Sequence, residues 1–102
     1  MKFADQIYIS LRKVPKGSIT TYKDLAASVG SKAYRAVGTA MNKNPYAPEV
    51  PCHRVVNSDG SIGGFAHGTE KKTEMLRSEG VEIIDNKIHN FSKIKHIFRY
   101  KK

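Results

Sequence analysis

The sequence has few cysteines, few acidic residues and no long apolar run, and each shortage excludes a class of protein. Its single cysteine among 102 residues cannot close an internal disulfide, and it lacks the other ligands of a sulfur-rich metal site. No run approaches the roughly 20 apolar residues that a membrane-spanning helix needs. The N-terminus carries Asp5 and no long apolar stretch, which indicates no secretory signal. We therefore expect a reducing location, cytoplasmic or, in a eukaryote, nuclear, where a lone thiol stays free.

The shortage of acidic residues makes the chain strongly basic. Eighteen Lys and Arg stand against nine Asp and Glu, which gives a net charge of +9, and both halves of the chain are basic. Such a surface attracts polyanions, of which nucleic acid is the commonest, whereas an anionic membrane surface or an acidic protein is a less common partner. The length allows one domain with one modest core, and 39% hydrophobic residues is typical of a soluble globular protein.

The single cysteine, Cys52, lies beside His53 and Arg54 and directly follows Pro51. Free cysteine is among the most buried residue types, so one interpretation is an inert core residue. The other is a reactive nucleophile, because a basic neighbourhood favours the thiolate that attacks electrophiles. Composition alone leaves both interpretations open.

The N-terminal segment has the pattern of an amphipathic helix. Phe3, Ile7 and Leu11 recur at a spacing of four, which places them on one face of a helix over residues 2–13. The proline and glycine of residues 14–17 predict a turn after it.

A pair of helices follows a short strand predicted over residues 18–21. Thr21 is predicted to cap a helix over residues 22–29, and a glycine ends that helix. Ser31 is predicted to cap the next helix, over residues 32–43. Two short helices around a turn are typical of a helix-turn-helix. The small residues of the second helix allow either a close approach to DNA or simple helix packing.

The C-terminal half has shorter elements. Three prolines between residues 44 and 52 predict a stiff, extended segment that delivers Cys52 to a defined place. Thr69 is predicted to cap a helix that ends at Ser78, and residues 81–89 have the pattern of a β-hairpin. The basic residues 93–102 indicate a docking strand, a docking helix or a DNA-contacting tail.

The motif at residues 51–56 resembles the active-site motif of the O6-alkylguanine-DNA alkyltransferases. Further segments resemble the same family in order and spacing: residues 14–17, 21–22, 25–26, 35–38, 44–45, 60, 63–64 and 76–80. The resemblance extends over residues 3–81. The Pro-Cys-His-Arg tetrapeptide alone is moderately specific, and with these flanking motifs the resemblance is strong.

The resemblance implies a mainly α-helical winged helix-turn-helix with small β elements, which places its recognition helix in the minor groove of DNA. It implies DNA repair by a methylated-DNA–[protein]-cysteine S-methyltransferase. An alkyl group, such as methyl, moves irreversibly from O6-alkylguanine in double-stranded DNA to Cys52, so each molecule reacts once. No metal or other cofactor is needed. Residues 1–102 are expected to form a single monomeric domain, without the N-terminal α/β domain of many family members.

The resemblance also implies roles for individual residues at the reaction centre. Cys52 is the acceptor, His53 is the base that takes its proton through a bound water, and Glu79 orients His53. Tyr22 donates a hydrogen bond to the flipped base, which stabilises the leaving guanine. Asn44 ties the recognition helix to the active-site loop through backbone hydrogen bonds.

DNA contacts are carried over from the family in the same way. The target atom is inaccessible in stacked duplex, so the nucleotide must be flipped out. Arg35 resembles the side chain that enters the base stack in its place. The remaining phosphate contacts fall at Lys23, Ser31 and Ser58, besides the contact of Tyr22.

The pocket wall implied by the family consists of Val55, Phe65 and Ala66. Phe65 stands where the family usually has a tyrosine, so it can stack but cannot donate a hydrogen bond. The turn from residue 30 to residue 35 is one residue shorter than usual and lacks the common proline. The missing N-terminal α/β domain and the phenylalanine at position 65 concern the lesion range and the rate rather than the reaction type.

Two alternatives to the alkyltransferase hypothesis remain from the sequence. The first is an alkyltransferase-like sensor that binds alkylated guanine without transfer and recruits other repair proteins. A related group of this kind lacks the cysteine, so Cys52 argues against it. The second is a basic winged-helix DNA-binding protein with a structural cysteine, which would bind damaged and undamaged duplex equally.

Overall fold

The computed structural model describes residues 2–46, 49–65 and 68–98. Its elements are, in chain order, α1 (Phe3–Leu11), β1 (Thr20–Thr21), α2 (Tyr22–Ser28), α3 (Tyr34–Asn42), a 3-10 helix (Cys52–Arg54), β2 (Val55–Val56), α4 (Thr69–Ser78), β3 (Ile83–Ile84), β4 (Lys87–Ile88) and α5 (Phe91–Ile94). The described residues are thus mainly helical with two small two-stranded sheets, as predicted. None of the helices in these ranges is long and apolar enough to cross a membrane.

The first three helices pack against one another around one core. Ile7 and Leu11, from the predicted apolar face of α1, are fully buried against Leu25 of α2 and Val37 of α3. Burying each such aliphatic side chain stabilises the fold by about 2 kcal/mol. Because α2 and α3 are joined by a five-residue turn, their packing gives the predicted helix-turn-helix pair.

The strand β1 connects the helix-turn-helix to the segment around Cys52. It runs parallel to β2, with Thr20 opposite Val55 and Thr21 opposite Val56. Because β2 follows the 3-10 helix that begins at Cys52, this pairing holds the thiol close to the start of α2.

The predicted helix caps have different outcomes. Thr21 accepts a hydrogen bond from the backbone N–H of Asp24 at 3.0 Å, which confirms it as the N-cap of α2. The cap predicted at Ser31 is wrong, because its hydroxyl accepts the N–H of Ala33 within the turn and α3 begins later, at Tyr34.

The cap predicted at Thr69 is also wrong. Thr69 is the first residue of α4, and Gly68 occupies the N-cap position with a φ of 92°. A φ in this range is unfavourable for any residue with a Cβ atom, so the loop geometry selects glycine there and not threonine. The end of α4 at Ser78 is as predicted.

The C-terminal part forms the predicted hairpin and then returns to the core. β3 pairs antiparallel with β4, and the turn residues Asp85 and Asn86 have φ values of 50° and 62°. Positive φ at both positions is the geometry of a type I′ hairpin turn. The following segment docks on the fold, since Lys95 bridges to Ile19 in a parallel manner. The last four residues, 99–102, lie outside the described residues.

Replacing each of the two threonines of β1 by valine should change the free energy of unfolding in opposite directions. Among the described residues, Thr20 Oγ1 is the buried side-chain polar atom without a hydrogen-bond partner. Thr20→Val should raise the free energy of unfolding by about 1 kcal/mol, because it replaces an unsatisfied hydroxyl by a methyl group of similar shape. Thr21→Val removes the cap of α2 and should lower it by about 1 kcal/mol. Urea unfolding of both variants measures the two changes in the free energy of unfolding. Changes of the same sign would contradict this account.

Candidate active site and nucleic-acid interface

The thiol of Cys52 lies at the boundary of the core. Pro51 precedes it, and the backbone N–H of Cys52 donates to the carbonyl of Val50 at 2.9 Å. The 3-10 turn is closed by the N–H of Arg54, which donates to the Pro51 carbonyl at 2.9 Å. Cys52 is 7% exposed and belongs to the core cluster of the three helices. The sulfur is therefore shielded from bulk water and held by a rigid backbone.

The carboxylate of Glu79 joins His53 and Arg54 into one largely buried cluster. Glu79, the C-cap residue of α4, has Oε2 3.1 Å from His53 Nε2, and its Oε1 accepts from Arg54 Nε at 2.9 Å. A second hydrogen bond from Arg54 Nη2 to Oε2 makes the ion pair bidentate. Arg54 Nη1 also donates to the carbonyl of Val14 at 2.8 Å, which links the cluster to the turn that follows α1.

The protonation states in this cluster follow from burial and hydrogen bonding. Burial lowers the pKa of His53, and the hydrogen bond and charge of Glu79 only partly oppose this. Burial raises the pKa of Glu79, but the hydrogen bonds from Arg54 and His53 outweigh it and leave the pKa below its ordinary value. At neutral pH Glu79 is ionised and His53 is neutral. Because a carboxylate only accepts hydrogen bonds, His53 Nε2 carries the proton and Nδ1 carries the lone pair.

Lys72 is a further charged residue near the thiol, and the sequence reasoning missed it. Its side chain is fully buried within α4, and Nζ donates to the carbonyl of Gly64 at 3.1 Å. Burial lowers the pKa of Lys72 to about 8, against an opposing effect of the Cys52 charge. The signal was the spacing of Lys72, Leu76 and Glu79, which places the lysine on the buried face of the helix.

Replacing Lys72 by methionine should change how stability depends on pH. The folded chain loses the Lys72 proton near pH 8, whereas the unfolded chain keeps it to about 10.5, so the unfolded state binds more protons between these values. The free energy of unfolding of the wild type should therefore rise relative to Lys72→Met by about 2 kcal/mol between pH 7 and pH 10. Lys71→Met, at an exposed neighbour, is the control. Parallel pH profiles of the two variants in urea unfolding would contradict the burial argument.

Asn44 lies immediately after α3 and organises the segment that leads to Cys52. Its Nδ2 donates to the carbonyl of Val50 at 2.8 Å, and its Oδ1 accepts from the N–H of Tyr46 at 2.9 Å. These are backbone hydrogen bonds of the kind expected for this residue. The first of them ties the chain just after α3 to Val50, two residues before Cys52.

The three residues predicted to form the pocket wall differ in how far the structure describes and buries them. Val55 is fully buried and packs in the same core cluster as Cys52, so it supports the thiol segment from within the core. Phe65 is partly buried and packs against that cluster. Ala66 lies outside the described residues. The pocket wall therefore stays a prediction.

Four of the predicted DNA-contacting residues meet at one groove of about 750 Å³. It lies between α2, the turn before α3 and the turn after β2, and it is lined by Tyr22, Lys23, Ala26, Ala27, Ser31, Lys32, Tyr34, Asn57 and Ser58. Arg35 is exposed on α3 and is not one of these lining residues. Burial, followed by the charge of Cys52, raises the pKa of Tyr22. Tyr22 thus connects the groove to the surroundings of the thiol.

A second groove, of about 620 Å³, lies between α4 and the hairpin and has the opposite charge character. Its lining includes the carboxylates of Glu70, Glu74 and Asp85, with Arg77 as its one cation. Clustered carboxylates repel phosphate, so this groove is unsuited to nucleic acid. In the described part of the chain, no three His, Cys, Asp or Glu side chains are grouped so as to hold a metal ion.

Comparison with known proteins assigns the family. A family model described as 6-O-methylguanine DNA methyltransferase, DNA binding domain, matches residues 2–81. The chain belongs to this family. A relative from Methanosarcina barkeri, named methylated-DNA–protein-cysteine methyltransferase, is 45% identical over 78 residues, which are 76% of this chain and 49% of the relative. The chain thus spans about half the length of that alkyltransferase.

Solved structures of alkyltransferase-family proteins have the same fold. The O6-methylguanine-DNA methyltransferase of Pyrococcus kodakaraensis is 46% identical with a TM-score of 0.73, over 79% of this chain and 47% of that one. Atl1 of S. pombe, in complex with damaged DNA containing O6-carboxymethylguanine, is 30% identical with a TM-score of 0.80, over 95% of this chain and 99% of Atl1. These likenesses confirm the predicted fold class, an alkyltransferase DNA-binding domain of helix-turn-helix type.

Proposed function

We propose that this chain repairs DNA by moving an alkyl group from the O6 atom of alkylguanine to the sulfur of Cys52. The observation that carries the proposal is the largely buried cluster that follows Cys52 in the chain, in which Glu79 holds a neutral His53. Family membership supports the same chemistry, because relatives of this chain are named methylated-DNA–protein-cysteine methyltransferases.

The proposed reaction needs a thiolate, a base and a leaving group. An ordinary thiol is only a few per cent ionised at neutral pH, so the proton of Cys52 must be removed. His53 Nδ1 receives it, through a water, and Glu79 stabilises the imidazolium that forms. The nearby ammonium group of Lys72 favours the negative charge on sulfur by electrostatic attraction.

In the transfer step Sγ forms a bond to the alkyl carbon while the bond from that carbon to O6 breaks. The electron pair of the broken bond stays with guanine, which leaves as an anion. The hydroxyl of Tyr22 donates a hydrogen bond to it and so stabilises the developing charge. The product at Cys52 is a thioether, which thiol exchange does not reverse, so one molecule repairs one lesion.

The proposed DNA partner is duplex bound at the face that carries α3 and the 750 Å³ groove. Arg35 enters the base stack where the lesion has been flipped out, and Lys23, Ser31 and Ser58 contact phosphates. The high positive charge supports this partner, since phosphate contacts supply most of the sequence-independent affinity for DNA.

A mass measurement tests the proposal directly. The protein is incubated with a duplex containing one O6-methylguanine, and its intact mass is followed with increasing DNA. The expected result is a gain of one methyl group that saturates at one per protein molecule. An unmodified duplex is the control and should leave the mass unchanged. Tight binding to the methylated duplex without any mass gain would reject transfer in favour of a sensor, and equal affinity for both duplexes would favour a general DNA-binding protein.

A further inference from the structure

Tyr34 is an exposed aromatic residue that neither the fold nor the proposed chemistry explains. It is the first residue of α3, its side chain is 53% exposed, and it lines the 750 Å³ groove. Tyr22, the first residue of α2, lines the same groove. The two helices of the helix-turn-helix therefore each begin with a tyrosine at one cavity.

The charge of this groove identifies the kind of molecule that fits it. Lys23 and Lys32 are among its lining residues, whereas no carboxylate is among them. Ser31, Asn57 and Ser58 add side chains that can donate hydrogen bonds to phosphate oxygens. A ligand with an aromatic part and a negative charge matches tyrosines and lysines together, and a nucleotide of a DNA strand has both. The carboxylate-lined groove beside α4 offers no such match.

The direction of the Tyr34 side chain relative to that of Arg35 indicates which nucleotide of the DNA Tyr34 can contact. Consecutive residues of a helix point about 100° apart, so the two side chains leave α3 in different directions. Tyr34 lines the groove, and Arg35 does not. If Arg35 fills the vacancy left by the flipped guanine, the ring of Tyr34 reaches the strand beside that vacancy.

We infer that Tyr34 is a DNA-binding residue whose ring packs against the nucleotide next to the flipped guanine, within the groove between α2, α3 and the turn after β2. The inference rests on the proposed function for the position of the flipped base. Packing of a base against an aromatic ring is sequence-tolerant, because every base has a π face, so the contact strengthens binding around any lesion site.

The test uses equilibrium binding, which requires no transfer. In a Cys52→Ser background, Tyr34 is replaced by phenylalanine, leucine or alanine, and affinity for a fluorescent O6-methylguanine duplex is measured by anisotropy. We expect Tyr34→Ala to bind about tenfold more weakly and Tyr34→Phe to bind within twofold of the parent. Tyr34→Leu should lie between them, because it keeps apolar contact without a π face. Ile84→Ala, at an exposed hairpin residue, is the control and should bind like the parent.

A second readout locates the contact. 2-Aminopurine is placed on either side of the lesion, and its fluorescence should respond to the parent but not to Tyr34→Ala at one of the two positions. Equal affinities of Tyr34→Ala and the parent, or equal fluorescence at both flanking positions, would overturn the inference. Circular dichroism of each variant checks that the helix content of the fold is unchanged. If the wild type gains no methyl group but Tyr34→Ala still weakens binding to the duplex, the proposed function is rejected and the inference about Tyr34 is not.

Discussion

Cys52→Ser should abolish methyl transfer completely while DNA binding persists. Serine has nearly the same size, but its hydroxyl is ionised far less readily than a thiol and is a much weaker nucleophile toward carbon. The residue lies at the core boundary and outside the groove lined by the DNA-contacting side chains, so the interface should remain intact. Intact mass after incubation with O6-methylguanine duplex measures the transfer, and fluorescence anisotropy measures the binding.

The pair of measurements separates the possible explanations of a negative result. A Cys52→Ser protein that still gains a methyl group would show that another residue is the acceptor. Loss of both transfer and binding, with an altered circular dichroism spectrum, would show that the serine disturbs the fold, and Cys52→Ala then provides the same test without a buried hydroxyl.

Glu79→Gln should lower both stability and the rate of transfer. Glu79 and Arg54 form an ion pair with side-chain exposures of 10% and 11%. Removing the carboxylate charge leaves the Arg54 guanidinium nearly buried without its counter-ion, which costs about 3 kcal/mol of the free energy of unfolding. Glutamine can also turn its NH₂ group toward His53, so the tautomer with the lone pair on Nδ1 is no longer enforced. The transfer rate should fall by about 100-fold, the lower range of a general-base contribution.

The matched control for Glu79→Gln is Glu82→Gln, which removes the same charge from an exposed position three residues away. It should change the free energy of unfolding by less than about 0.5 kcal/mol and leave the rate unchanged. Since the pKa of Glu79 is lowered in the folded chain, its stabilising effect is present above the carboxyl pKa of the unfolded chain and is lost as the pH falls through the folded value. The stability difference between wild type and Glu79→Gln should therefore shrink in acid. A pH-independent difference, or an unchanged transfer rate, would contradict the assigned role.

Local features of this protein could be predicted from its sequence because they depend on neighbouring residues. The apolar stripe of α1 follows from the spacing of Ile7 and Leu11, and the cap at Thr21 follows from its position before a helical pattern. The turn at Asp85 and Asn86 follows from the preference of these residue types for positive φ. Ser31 shows where local prediction fails. A serine hydroxyl can accept a backbone N–H at the start of a helix or within a turn, and here it accepts the N–H of Ala33 in the turn.

Long-range features of the site could not be predicted in the same way. The sequence predicts Arg54 as a positive charge beside Cys52, but it does not predict the hydrogen bond from Arg54 to the carbonyl of Val14, 40 residues earlier. Lys72 was missed because a lysine is expected at the surface, and its burial depends on the loop carbonyl of Gly64 that accepts from it. The helical spacing places Lys72 on a buried face, but the partners of Arg54 and Lys72 come from other segments of the chain, so no local pattern identifies them.

The ion-pair network around Arg54 has a consequence for protein synthesis. It joins the turn after α1, the segment at Cys52 and the end of α4, so its contacts have large sequence separations and need all three segments to be present. A growing chain on the ribosome exposes Cys52 well before residue 79 emerges. Until then His53 has no carboxylate to set its tautomer, and the thiol has no oriented base. Under the proposed mechanism, a chain should therefore transfer an alkyl group efficiently only after Glu79 has joined His53 and Arg54.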